Sequence, residues 1–275
     1  MNMAVRRFFQ STPVLRDLYR TARELYNRRR HTKTAKNYFT NFDQYKGALE
    51  SEDGRTVDIR TEDGLLLTIR RNHSDASVLG EIFLDNCYVR GLRLPERPIV
   101  VDIGGYIGDF AVYAAKRLNA RRVVVCEPSP RNFALLKRNV ENNHFEDRIE
   151  AVNKAVTDGQ DVMLDIDAPD RGQFRVSAYG SNDVVRKSVP GITLASLARE
   201  HGLEGIDLLK IDCEGGEYSI LSSTPTAVFR NIRNIVFECH EIDGFQAKLE
   251  AVKDKLTEEG YSLVTRGSLI SASRL

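Results

Sequence analysis

Apolar and polar positions change their rhythm near residue 98. Beyond it, short apolar runs at Ile99–Ile103, Arg122–Cys126, Ile149–Val156, Ile206–Ile211 and Ile232–Cys239 alternate with helical periods. Those periods fall at Gly108–Leu118, Pro130–Asn142, Leu194–His201 and Phe245–Glu259, the last closed by Gly260. Strands alternating with helices of this length predict βαβ units and a parallel sheet. Two further strands are expected at Val162–Ile166 and Phe174–Ala178. A terminal pair, Tyr261–Thr265 and Ser268–Ala272, suits a sheet whose last strand is antiparallel.

Before residue 98 the pattern differs. Val14, Leu15, Leu18, Tyr19, Ala22, Leu25 and Tyr26 recur at helical spacing and predict a helix over residues 12–30, starting at Ser11-Thr12-Pro13. The stretch from Arg30 to Glu52 is polar and mixed and gives only a weak pattern. Strands at Thr56–Arg60 and Leu65–Arg70 flank Asp63-Gly64, a hairpin signal. A helix is expected near Ser77–Phe83. The reading is an α/β, doubly wound domain over residues 74–275, with a helical and hairpin extension over residues 1–73.

At 275 residues and 41% hydrophobic, the chain has an ordinary globular composition. No apolar run approaches the roughly 18–20 residues that cross a bilayer. Arg6 and Arg7 are followed only by Phe8 and Phe9 before polar residues, so no signal-peptide core is read and the expected compartment is cytoplasmic. Cys87, Cys126, Cys213 and Cys239 form no C-x-x-C pair and no zinc spacing. The net charge of +1 hides an asymmetry, because residues 1–36 carry eight arginines and two lysines against Asp17 and Glu24. This basic arm suits peripheral contact with an anionic membrane. The simpler reading is that its apolar stripe packs on the domain or on a second subunit of a homo-oligomer.

The chemistry concentrates at strand ends. Val100-Val101-Asp102-Ile103-Gly104-Gly105-Tyr106-Ile107-Gly108-Asp109-Phe110 reads as strand, glycine-rich turn and helix start, the place where open α/β sheets bind ligands. Its glycines miss the dinucleotide pattern G-x-G-x-x-G. Asp102 suits a cationic group such as an amino-acid ammonium, or else satisfies backbone N–H groups of the turn. Glu127 ends the second strand and suits the paired hydroxyls of a ribose; a helix N-terminal acid is the plainer alternative. Asp212, Glu214 and Glu217 cluster after the fourth strand, and Glu238, His240 and Glu241 after the fifth. A base there could accept a hydroxyl proton, with Asp212 the leading candidate and His240 and Glu214 beside it. The same carboxylates could instead hold a divalent metal that lowers the acceptor's pKa. The cysteines near these ends read as filler.

These segments resemble the class I S-adenosylmethionine methyltransferases, and more narrowly the FkbM family. The resemblance is carried by VVDIGGYIGDF, VVVCEPSPRNFALLKRNV, AVNKAVTD and LLKIDCEGGEYSIL, the last similar to the family pattern K-I-D-x-E-G-x-E. It implies a mostly parallel, seven-stranded Rossmann-like methyltransferase sheet. It also implies S-adenosylmethionine bound by Asp102, Gly104, Gly105, Gly108, Glu127 and Pro128, with adenine contacts near Asn153 and Ala155. The family usually has Ala-Asn where this chain has Gly105-Tyr106. The implied acceptor is a hydroxyl of a sugar, glycolipid or polyketide-type natural product. Amino-methylating enzymes usually carry a proline-aromatic loop where this chain has Cys213-Glu214-Gly215-Gly216, which favours oxygen. A nucleic-acid methyltransferase, prompted by the basic arm, and a nicotinamide-dependent oxidoreductase are the alternatives; a silent scaffold is disfavoured by Asp102, Glu127 and Asp212.

Overall fold

The structure, a computed structural model, describes residues 32–165 and 186–274. The helix expected at residues 12–30, most of the basic arm, and the strand expected at Phe174–Ala178 lie outside the described residues.

Residues 32–38 are helical and lead into α1 (Phe42–Leu49). The sequence pattern here was weak, yet Ala35, Tyr38, Phe39, Tyr45 and Ala48 are all buried. Within each segment these positions recur at three- or four-residue spacing, but the break between the segments and the intervening lysines and asparagines dilute the pattern. β1 (Thr56–Arg60) and β2 (Leu66–Arg70) form the expected hairpin, with Thr56 opposite Arg70. α2 (His73–Phe83) starts earlier than Ser77 because the Asn72 side chain caps it, accepting the Asp75 N–H at 2.7 Å.

The main domain continues with β3 (Ile99–Ile103), α3 (Asp109–Arg117), β4 (Arg122–Cys126), α4 (Pro130–Asn142) and β5 (Ile149–Val152). β5 does not run on to Val156. Asn153 turns the chain, its amide donating to the carbonyls of Glu127 at 2.8 Å and Pro128 at 3.2 Å. β6 (Ala155–Thr157) therefore leaves the sheet. After β7 (Val162–Asp165) and β8 (Arg186–Val189), which pair antiparallel, β9 (Gly191–Thr193) pairs parallel with β6. The rest is α5 (Leu194–Glu200), β10 (Leu208–Ile211), α6 (Glu217–Ser223), α7 (Thr226–Phe229), β11 (Asn234–Glu238), α8 (Phe245–Glu258), β12 (Ser262–Arg266) and β13 (Leu269–Ser273).

Seven strands form one sheet in the order β12-β13-β11-β10-β3-β4-β5. It is doubly wound and mostly parallel, as the sequence predicts. β13 alone runs against its neighbours, and it lies one place in from the edge. Successive residues point to opposite faces. Val100, Val123, Val125 and Leu208 pack under α2, α3 and α4, while Val101, Val124, Leu209 and Ile235 pack with Leu197, Tyr218 and Val252 on the other side.

The hairpin shares the first of these cores. Ile59, Leu67 and Ile69 are buried in one cluster with Val100 and Leu136, so packing is continuous across residue 73. Asn139 of α4 fixes the hairpin in register, accepting the Thr68 N–H at 2.7 Å and donating to the Thr68 carbonyl at 3.0 Å. No helix among the described residues is long and apolar enough to cross a membrane.

Candidate active site

The strand order reverses between β3 and β10, and a cavity of about 580 Å³ opens at the carboxyl ends of β3, β4, β10 and β11. That is where doubly wound sheets bind ligands. Gly104 adopts φ +81°, and a Cβ there would lie 1.7 Å from the Asp212 carbonyl oxygen. The turns after β3 and β10 thus meet backbone to backbone, which any side chain would prevent. Gly105 and Gly108 are not on the cavity wall; they let the turn close onto Val125 and Leu136. Asn153 is exposed and also off the wall, whereas Gly104, Glu127, Pro128 and Ala155 line it.

At the β4 end the central group is Glu127, 5% exposed. Its Oε2 accepts the Tyr106 N–H and its Oε1 the Ser129 N–H, both at 2.9 Å, with the Asn132 amide 3.5 Å from Oε1. Burial pushes its carboxyl up to about 7, against the pull of these donors. Tyr106, the departure from the family pattern, has φ +48° and sends its hydroxyl to Asp75. Asp75 is fully buried and paired with Arg70 at 3.0 Å, and Arg70 donates to Asn132 at 2.9 Å. The hairpin extension thereby braces the turn that aims Glu127.

Asp102 lies behind the wall. It is 0% exposed and stands directly across the β3–β10 ladder from Lys210, whose Nζ is 3.0 Å from Oδ1. Burial raises the Asp102 carboxyl and Lys210 opposes the rise. Lys210 also donates to the Gly104 carbonyl at 2.9 Å and lies 3.8 Å from Asp212 Oδ2. Burial works against its charge, but Asp102, Asp212 and Asp109 together hold it protonated.

At the β10–β11 end, charges orient one another. The Tyr88 hydroxyl donates to Asp212 Oδ2 at 2.6 Å, leaving Oδ1 3.8 Å from His240 Nε2. His240 Nδ1 is 2.9 Å from Oε1 of the fully buried Glu217, which also accepts the Cys213 and Gly215 N–H groups at 2.9 Å. Burial alone would depress His240, but Glu217, Glu214 and Asp212 hold it up at about 9. Burial raises Glu214 to about 7, His240 resisting and Asp212 adding. Asp212, Glu238 and His240 offer ligand atoms within 4.8 Å of one another, a set that could hold a divalent metal. Glu241 is exposed. Burial raises the thiols of Cys126, Cys213 and Cys239, so all three stay protonated.

The structure thus brings Asp212, Glu214 and His240 together as expected from the sequence. Glu217, read in the same cluster, lies behind them as the buried partner of His240. The structure adds Lys210, Tyr88 and Asp109. Lys210 had a signal, since a lysine inside the apolar run Leu208–Ile211 needs a buried partner. Tyr88 had none, standing in an irregular segment far from Asp212 in sequence.

Residues 102–263, more than half of the chain, match the family described as the Methyltransferase FkbM domain. The chain is 26% identical over 212 residues to methyltransferase sdnD of Sordaria araneosa, covering 66% of this chain and 80% of that one. It is 28% identical over 214 residues to 31-O-demethyl-FK506 methyltransferase FkbM of Streptomyces tacrolimicus, covering 67% of this chain and 80% of the relative. A match to AMB antimetabolite synthetase AmbE of Pseudomonas aeruginosa, 28% identical, covers 69% of this chain but 11% of that protein. Among solved structures, methyltransferase FkbM from Methylobacillus flagellatus superposes with a TM-score of 0.50 at 14% identity. That superposition covers 85% of this chain and 59% of the other and concerns the fold.

Proposed function

The chain belongs to the FkbM family of S-adenosylmethionine-dependent methyltransferases, and from that premise we propose that it methylates a hydroxyl oxygen of a sugar, glycolipid or natural-product acceptor. The bound cofactor supplies an electrophilic methyl on a sulfonium. The residues present suit such a ligand: the cavity is large enough for a nucleoside, and Glu127 offers a carboxylate already aimed by two backbone donors. Its remaining lone pairs can accept a pair of ribose hydroxyls.

The observation that carries the oxygen assignment is Asp212, pinned through Oδ2 by Tyr88 on the wall of the same cavity. Methyl transfer needs alignment for in-line attack and a group to take the hydroxyl proton as the oxygen attacks. Asp212 is that base in this reading, with Glu214 and His240 setting the charge around it. The relative named as a 31-O-demethyl-FK506 methyltransferase points the same way. A second reading is favoured by the grouping of Asp212, Glu238 and His240. These residues would hold a divalent metal that lowers the pKa of the acceptor hydroxyl.

The test is to incubate the protein with methyl-labelled S-adenosylmethionine and a fractionated cell extract, then locate the label by NMR. A methoxy carbon supports the proposal. Label on nitrogen or carbon contradicts the acceptor assignment. Loss of transfer on chelation, restored by magnesium or manganese, selects the metal version over the bare carboxylate.

A further inference from the structure

Asp109 opens α3 at the cavity wall, beside Gly104, Tyr106 and Lys210. Its side chain is 3% exposed. Oδ1 accepts the Phe110 N–H at 2.8 Å, but Oδ2 has no hydrogen-bond partner among the described residues. An unpaired buried carboxylate oxygen is unfavourable and calls for an explanation. Burial raises Asp109 to about 7, even with the Lys210 charge drawing it down.

The residue that the sequence offered to a cofactor ammonium was Asp102. It is not on the cavity wall, and it is engaged by Lys210 across the ladder. Lys210 is itself shared with Asp212 and the Gly104 carbonyl. Among the described residues, Asp102 and Asp109 both carry buried carboxylate oxygens without a hydrogen-bond partner, and of the two it is Asp109, with its Oδ2, that lies on the cavity wall.

We propose that Asp109 Oδ2 receives the α-ammonium of the cofactor's methionine end, an assignment that rests on the cofactor reading above. An ammonium brings both positive charge and N–H donors, which a carboxylate oxygen accepts in a charge-assisted hydrogen bond. A sulfonium has the charge without a donor. A metal ion needs several ligand atoms, and the one such group among the described residues is Asp212, Glu238 and His240, without Asp109. The ribose has its own acceptor in Glu127 on the neighbouring strand. Asp102 then acts at one remove, by keeping Lys210 charged and in place.

Calorimetry with two ligands and two proteins tests this. S-adenosylhomocysteine carries the amino-acid end; 5′-methylthioadenosine shares its nucleoside and thioether but lacks that end. Asp109→Asn should weaken S-adenosylhomocysteine about 10- to 100-fold while 5′-methylthioadenosine binds within about twofold of wild type. Equal weakening of both ligands, or of neither, overturns the assignment. If Asp109→Asn loses its cooperative melt, Asp109→Ser, which keeps an oxygen at the helix start, should show the same selective loss. Binding of neither nucleoside by the wild-type protein would remove the cofactor reading itself, and this assignment with it.

Discussion

The two ends of the cavity hold their carboxylates by different means. At the β4 end, Glu127 is fixed by backbone N–H groups of Tyr106 and Ser129, from turns adjoining it in one βαβ unit. At the β10–β11 end, Asp212 is held by side chains: Tyr88 and His240 from distant segments, and Lys210 from its own strand. Backbone donors do not titrate, so the first end keeps a constant geometry, with Glu127 itself, raised to about 7, as its titrating group. The second end is a balance of charges, with His240 held at about 9 and Glu214 lifted to about 7. Such a balance suits a proton transfer, and one substitution can upset it.

The largest effect should follow from the residue at the seam between the ends. Lys210→Met leaves Asp102 buried without a partner. Breaking a buried pair from one side costs about 3–5 kcal/mol, readable in denaturant melts. Adding Asp102→Leu should recover part of that loss; no recovery would mean that Lys210 acts through something other than the pair.

The next effect separates the two ends by function. Asp212→Asn should lower turnover by about 10²-fold or more if this residue takes the proton. A near wild-type rate in this variant, with His240→Ala inactive, would move the base to the imidazole.

A smaller effect comes from pH. Glu127 titrates near 7 and accepts both ribose hydroxyls fully only as the carboxylate. Its ionised fraction falls about tenfold from pH 8 to pH 6, so cofactor affinity should fall about tenfold over that window. Glu127→Gln should bind weakly at both values and lose the dependence. A wild-type affinity that rises toward pH 6 has the wrong sign for this mechanism.

Smallest of all should be Tyr106→Phe. It removes one hydrogen bond to Asp75 while leaving the backbone N–H that aims Glu127. A loss of about 1 kcal/mol of stability with nearly unchanged cofactor affinity is expected. A large affinity loss would show that the brace from the hairpin matters more than the turn itself.

The same contrast explains what could be read in the sequence. Five parallel strands, their helices and the glycine turn were legible because apolar period and turn chemistry are local. Glu127 was legible because it closes an apolar strand run just before a helix start, and Ser129 and Asn132, two of its partners, follow directly in the chain. Asp102 was recognised, but its burial was not, because its partner Lys210 is set by strand order rather than by spacing. β6 was merged with β5 because the apolar run continues through Ala155 and Val156, and the side chain of Asn153 decides the break. The helical residues 32–38 and α1 were missed because the break between them and the intervening polar residues dilute the apolar pattern.

In the proposed function, one end of this cavity binds the cofactor's nucleoside and the other performs the transfer. Calorimetric titration of S-adenosylmethionine into wild type, Glu127→Ala and Asp212→Asn tests it most directly. Wild type should bind the cofactor, Glu127→Ala should bind it about tenfold or more weakly, and Asp212→Asn should stay within about twofold of wild type. Equal losses in both variants, or unchanged affinity in Glu127→Ala, would contradict it.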